Sequence, residues 1–118
     1  MKLLIVTPSN IEKEALSKGL QSSYHNNNKH IFNLIKTGIG IPATIFTLTD
    51  HLNVNHYDLA IHCGIAGSFT PDYPPGSVVM PFSEQFTDIG ESHPKGFRNL
   101  FDMKLTHPDH PPFKNGLL

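Results

Sequence analysis

The sequence holds a single cysteine, Cys63, in 118 residues. One thiol excludes an internal disulfide and a zinc cluster built on cysteines, and it suits a reducing compartment, so a cytoplasmic location is expected. An excess of either charge is also missing. Nine Lys and Arg stand against ten Asp and Glu, for a formal net charge of −1. The basic residues are scattered, whereas binding to nucleic acid or an anionic membrane needs a basic surface, so neither is expected as a partner. No run approaches the about 18 apolar residues of a membrane span. The opening "MKLLIVT" is too short for a signal segment and is broken by Pro8, Ser9 and Asn10. Gly-x-Ser-x-Gly, the Walker loop and His-Glu-x-x-His are absent, which removes the sequence signatures of serine hydrolases, P-loop enzymes and zincins.

What the chain does have is a strand and helix rhythm. Its length suits one domain over 1–118. Lys2 to Thr7 is apolar after its lysine, the pattern of a strand covered on both faces in a parallel sheet. Ser9 is placed to cap a helix on which Ile11, Ala15, Leu16 and Leu20 recur near the helical period. A polar, asparagine-rich turn at 22–30 precedes a second apolar run, Ile31 to Ile35. Pro42 then fits the first turn of a helix with Ile41, Ile45, Leu48 and Leu52 on one face and Thr44, Thr47 and Asp50 largely off it. Strands are expected at Tyr57 to Cys63 and at Val78 to Phe82, the second after the turn signal "PDYPPG". From Ile89 onward no period stands out. The alternation predicts an α/β fold with a mainly parallel sheet.

In such sheets ligands bind outside the carboxyl ends of the strands. Those ends read "TPSNIE" (7–12), "TGIGIPA" (37–43) and "CGIAGSF" (63–69). Together they offer backbone amides, small side chains, isoleucines and one carboxylate, Glu12. A neutral, flat, partly apolar ligand suits them better than a polyphosphate. Gly38, Gly40 and Ala43 match the dinucleotide fingerprint GxGxxG/A, but the acid it needs after the next strand is replaced by His62, Cys63 and Gly64. A close strand-to-helix turn accounts for these glycines without a dinucleotide.

Glu12 has two readings. In Ser9-Asn10-Ile11-Glu12 it completes a capping box, reaching back to the N-cap amide. It also stands beside the expected crevice, where the helix dipole favours its ionised form and suits it to orient a water. The two histidines of "HPDH" (107–110) have a spacing that zinc sites use, but no helix aligns them and no third ligand is in reach. No metal is expected there.

Taken together, "TGIGIPAT", "YDLAIHCGIAGSF" and "PGSVVMP" at their mutual spacing resemble the nucleoside phosphorylase and nucleosidase superfamily. Within it the chain is most similar to the futalosine hydrolase family, relatives of the methylthioadenosine/S-adenosylhomocysteine nucleosidases. The resemblance covers residues 1 to about 90 and extends only loosely over 91–118. It implies an α/β sandwich around a central mixed, mainly parallel sheet, here incomplete, in a homo-oligomer that uses no cofactor. It implies hydrolysis of the N-glycosidic bond of a purine nucleoside, with futalosine as substrate, hypoxanthine as released base and menaquinone biosynthesis as setting. By the same resemblance Glu12 is the catalytic residue that positions the water, and Ile39, Ile65, Ala66, Gly67 and Phe86 line the substrate.

In the bacterial phosphorylases of this fold, arginines occupy the places of Glu12 and His62, and a serine that of Ile65. Their absence favours water over phosphate, which a carboxylate would repel. The family's base-protonating aspartate and ribose-binding glutamate belong to a second half that has no counterpart in 1–118. The chain is therefore expected to carry half an active site, with little hydrolase activity alone. A phosphate-dependent phosphorylase and a non-catalytic, nucleoside-binding or oligomerising remnant are the alternatives.

Overall fold

The computed structural model describes residues 1–24 and 30–118. Two compact units make up the chain, residues 1–69 and 70–118. The asparagine-rich turn expected at 22–30 falls mostly outside the described residues.

The first unit is a β-α-β-α-β run. Strand β1 (Lys2–Thr7) is followed by helix α1 (Asn10–Tyr24), β2 (Ile31–Lys36), α2 (Ile41–Val54) and β3 (Leu59–His62). All pairings are parallel and the strand order is β2-β1-β3. The first strand of the sequence is therefore the middle strand of the sheet. Its continuous apolar run matches a strand covered on both faces, since consecutive side chains point to opposite faces and Leu4 to Thr7 are all buried. Leu4 is 0%, Ile5 8% and Val6 2% exposed, and these three are the buried apolar core among the described residues. The α/β class is as expected, and the arrangement is consistent with an incomplete nucleoside phosphorylase-like fold.

Two helix faces differ from the periodicity. On α1, Leu16 and Leu20 turn inward, and Leu20 lines a groove with Phe32 and Leu34 of β2, but Ile11 and Ala15 are exposed. On α2 the apolar stripe expected to be buried is largely exposed, including Ile41, Ile45 and Leu52. The contacts run instead along the polar face. Thr44 Oγ1 lies 3.5 Å from Thr37 Oγ1, Thr47 Oγ1 donates to the Thr37 carbonyl at 3.0 Å, and His51 Nε2 lies 2.7 Å from the Tyr57 hydroxyl. Periodicity identifies an apolar face but does not supply a surface to cover it, and among the described residues none does.

β3 is an edge strand, exposed along its length. Its start is fixed from the side: the Lys2 amide donates to Asp58 Oδ2 at 2.6 Å, and the Lys2 ammonium sits 4.7 Å over the Tyr57 ring.

The second unit contains an antiparallel hairpin, β4 (Gly90–His93) and β5 (Gly96–Asn99). Glu91 and Arg98 face each other across it in a 2.7 Å ion pair. Four-residue strands are too short to show a period, which is why this region reads as featureless in sequence. Behind the hairpin Phe113 packs edge-on against both Phe86 and Phe101. The strand expected at Val78 to Phe82 is not formed. Val78, Met80 and Phe82 are each more than nine-tenths exposed, and among the described residues no strand pairs with their backbone. An apolar β-rich run becomes a strand only where a partner takes its amides and carbonyls.

Candidate functional site

Because the three strands of the first unit are parallel, their carboxyl ends lie along one edge of the sheet. The ladder continues one residue past β2 and past β3. The Thr37 amide donates to the Thr7 carbonyl at 2.9 Å, and the Cys63 amide donates to the Val6 carbonyl at 2.8 Å. Thr7 and Thr37 are buried beneath this edge. Their hydroxyls are satisfied by the carbonyls of Ile35 and Thr7 respectively. These bonds hold the three turns above at fixed relative height.

The turn after β2 uses its glycines as backbone devices. Gly38 has φ +95°, and a Cβ there would lie 3.0 Å from the Ala43 methyl. Gly40, the N-cap of α2, has φ 89° and ψ 160°, a region essentially restricted to glycine. The G-x-G-x-x-A spacing thus serves a tight strand-to-helix turn, the account given above. Ile39, between the glycines, is 82% exposed.

Glu12 joins the first turn to the third. The Ser9 carbonyl accepts the first helical bond, from the Lys13 amide, at 3.1 Å, so Ser9 is the N-cap of α1. The Glu12 amide donates to Ser9 Oγ at 3.3 Å, and that hydroxyl donates in turn to Glu12 Oε2 in a short bond. The other carboxylate oxygen, Oε1, accepts the backbone amide of Ile65 at 3.0 Å, from a residue 53 positions away. Gly64 permits this approach: a Cβ there would sit 3.1 Å from Oε1 and 3.5 Å from the Pro8 ring. The Glu12 carboxyl is held below its ordinary value chiefly by the Ser9 hydroxyl, then by the Ile65 amide, with smaller help from the Ser9 amide and the His62 charge. The Glu12 side chain thus bonds the N-cap Ser9 and also reaches the turn after β3.

The remaining expected residues fall in two places. Ile65, Ala66 and Gly67 are exposed beyond β3, with Ile65 at 90%. A Cβ at Gly67 would meet nothing within 4 Å, so its small size answers no contact among the described residues. Phe86 belongs to the second unit, where its ring packs on Phe113. Cys63 is half-buried. The "HPDH" segment forms a turn, with the Asp109 amide donating to His107 Nδ1 at 3.2 Å and the His110 amide to the His107 carbonyl at 3.0 Å. Among the described residues no three His, Cys, Asp or Glu side chains form a group able to hold a metal.

Two partners escaped the sequence. The capping-box pattern contained Ser9 but not the donation of its hydroxyl to the carboxylate. The Ile65 amide leaves no local signal, since any residue carries one.

What this edge offers is an ionised, oriented carboxylate among exposed isoleucines and bare backbone. The chain resembles a futalosine hydrolase. It is 28% identical over 127 residues to the futalosine hydrolase of Streptomyces coelicolor, an alignment covering 95% of this chain and 54% of that relative. The chain therefore spans about half the length of the curated relative it matches. No family model matches the sequence, and no solved structure matches it. Among the described residues no helix is long and apolar enough to cross a membrane.

Proposed function

We propose that this chain carries the water-positioning half of a purine nucleoside N-glycosidase, with futalosine as the nucleoside and hypoxanthine as the released base, within menaquinone biosynthesis. The observation that carries the reading is the Glu12 carboxylate, held at the end of β1 by Ser9 and by the Ile65 amide. Similarity to the Streptomyces coelicolor futalosine hydrolase supports the same chemistry.

Cleaving the bond between sugar C1′ and the base nitrogen builds positive charge on the sugar. A fixed anion nearby stabilises that charge more in the transition state than in the ground state. The same carboxylate accepts a hydrogen bond from the attacking water and takes up its proton as the new C–O bond forms. The bond electrons leave with the base, which a group outside residues 1–118 protonates. Ile39 and Ile65 supply apolar contact for the sugar, and Ala66 and Gly67 let it lie close to the backbone.

Phosphate as nucleophile is disfavoured, because Glu12 would repel it and the Ile65 amide that could bind it is already engaged. A second reading is a nucleoside-binding chain without catalysis. The test is calorimetric titration of the purified chain with futalosine, with chromatography for free hypoxanthine, in buffers with and without phosphate. The proposal expects binding without phosphate and slow base release that Glu12→Gln abolishes. No binding, or cleavage that requires phosphate, refutes it. Binding with no cleavage at all supports the second reading instead, and rapid turnover by the chain alone refutes the half-site account.

A further inference from the structure

We infer that Ser9 is a positioning residue for Glu12, its hydroxyl fixing the carboxylate so that Oε1 meets the Ile65 amide at the end of β3. The inference rests on the reading of Glu12 as the group that holds the water. It goes further by assigning a role to a residue that sequence logic treats as a helix cap.

A cap alone needs only an acceptor. Ser9 Oγ fills that need by accepting the Glu12 amide at 3.3 Å. Its single proton is then free for another partner, and it goes to Glu12 Oε2. The serine thus grips both ends of one residue, backbone and carboxylate. With Oε2 held, rotation about the terminal bond of Glu12 is blocked, and Oε1 is left facing the β3 turn, where Ile65 donates at 3.0 Å. Gly64 leaves room for that oxygen and for no Cβ at ordinary contact distance. Oε2 accepts the Ser9 hydroxyl and Oε1 the Ile65 amide, and a carboxylate, with about four lone-pair sites, keeps capacity to accept from a water as well. The Ser9 hydroxyl is accordingly the main influence that lowers this carboxyl. His62 of β3 also acts to lower the Glu12 carboxyl, with the smallest effect.

Cap and positioning roles separate by substitution. Glycine at an N-cap retains most of the capping preference, so Ser9→Gly removes the hydroxyl with little loss of helix. Ser9→Thr keeps the hydroxyl. The experiment is an NMR pH titration of the full chain carrying ¹³C-labelled glutamate carboxyls, with the Ile65 amide proton followed in the same samples and helicity checked by circular dichroism.

In Ser9→Gly the Glu12 midpoint moves up toward the ordinary glutamate range, and the Ile65 amide loses its low-field, Glu12-linked shift. Ser9→Thr restores both. A folded Ser9→Gly chain with both signals unchanged overturns the inference. Should Ser9→Gly not fold, a folded Ser9→Thr chain with a raised Glu12 midpoint overturns it equally, and a wild-type midpoint supports it. If the titrations behave as stated but no nucleoside binds, the functional reading fails while the Ser9 assignment stands.

Discussion

Replacing Gly38 by alanine tests whether the glycine turn after β2 is a backbone device. Two costs follow from the geometry. The residue has φ +95°, where a side-chain-bearing residue is strained by about 1–3 kcal/mol. The added Cβ would also lie 3.0 Å from the Ala43 methyl. Overpacking of that kind costs about 1–3 kcal/mol in a rigid core. The lower end applies here, because no residue of α2 is buried and the helix can shift. Against these, losing glycine's freedom in the unfolded chain returns about 0.4–1 kcal/mol. The net expectation is a loss of about 1–3 kcal/mol.

With a slope of about 2 kcal/mol per molar urea, that loss lowers the unfolding midpoint by about 1 M. It is a large fraction of the stability of a unit whose buried apolar core is Leu4, Ile5 and Val6. The assay is urea unfolding followed by far-ultraviolet circular dichroism. Gly67→Ala is the control: its φ lies outside the left-handed region and its Cβ meets nothing within 4 Å, so its midpoint stays near wild type. An unchanged midpoint in Gly38→Ala, or equal losses in both variants, would refute the reasoning.

Two further outcomes concern the carboxylate. Gly64→Ala places a Cβ 3.1 Å from Glu12 Oε1, so that oxygen must move by a few tenths of an ångström; amide exchange at Ile65 speeds up and nucleoside affinity falls. Wild-type exchange there would show that Glu12 does not bridge the two turns. For pH, the Glu12 carboxyl lies below its ordinary 4.5 in the folded chain, so the unfolded chain takes up the proton first. Its stabilising contribution is complete above that value and is lost as the pH falls through the lower folded midpoint. Urea midpoints measured from neutral pH downward should therefore drop more steeply below 4.5 in the wild type than in Glu12→Gln, and parallel curves would count against the hydrogen bonds at Glu12.

By itself the sequence determined the alternation of β1, α1, β2, α2 and β3, because hydrophobic period, the Ser9 cap, Pro42 and the glycines act within a few residues of where they stand. It also marked Glu12 as the carboxylate at a strand end. Contacts distant along the chain were decided only by tertiary structure. The middle position of β1 depends on which strands pair with it. The exposure of Ile45 and Leu52 depends on what covers α2, and the loss of the strand at 78–82 on the absence of a neighbour. The grip on Glu12 divides along the same line. Its Ser9 half spans three residues and is legible as a capping box, whereas its Ile65 half joins positions 53 apart through a backbone amide that no residue type announces.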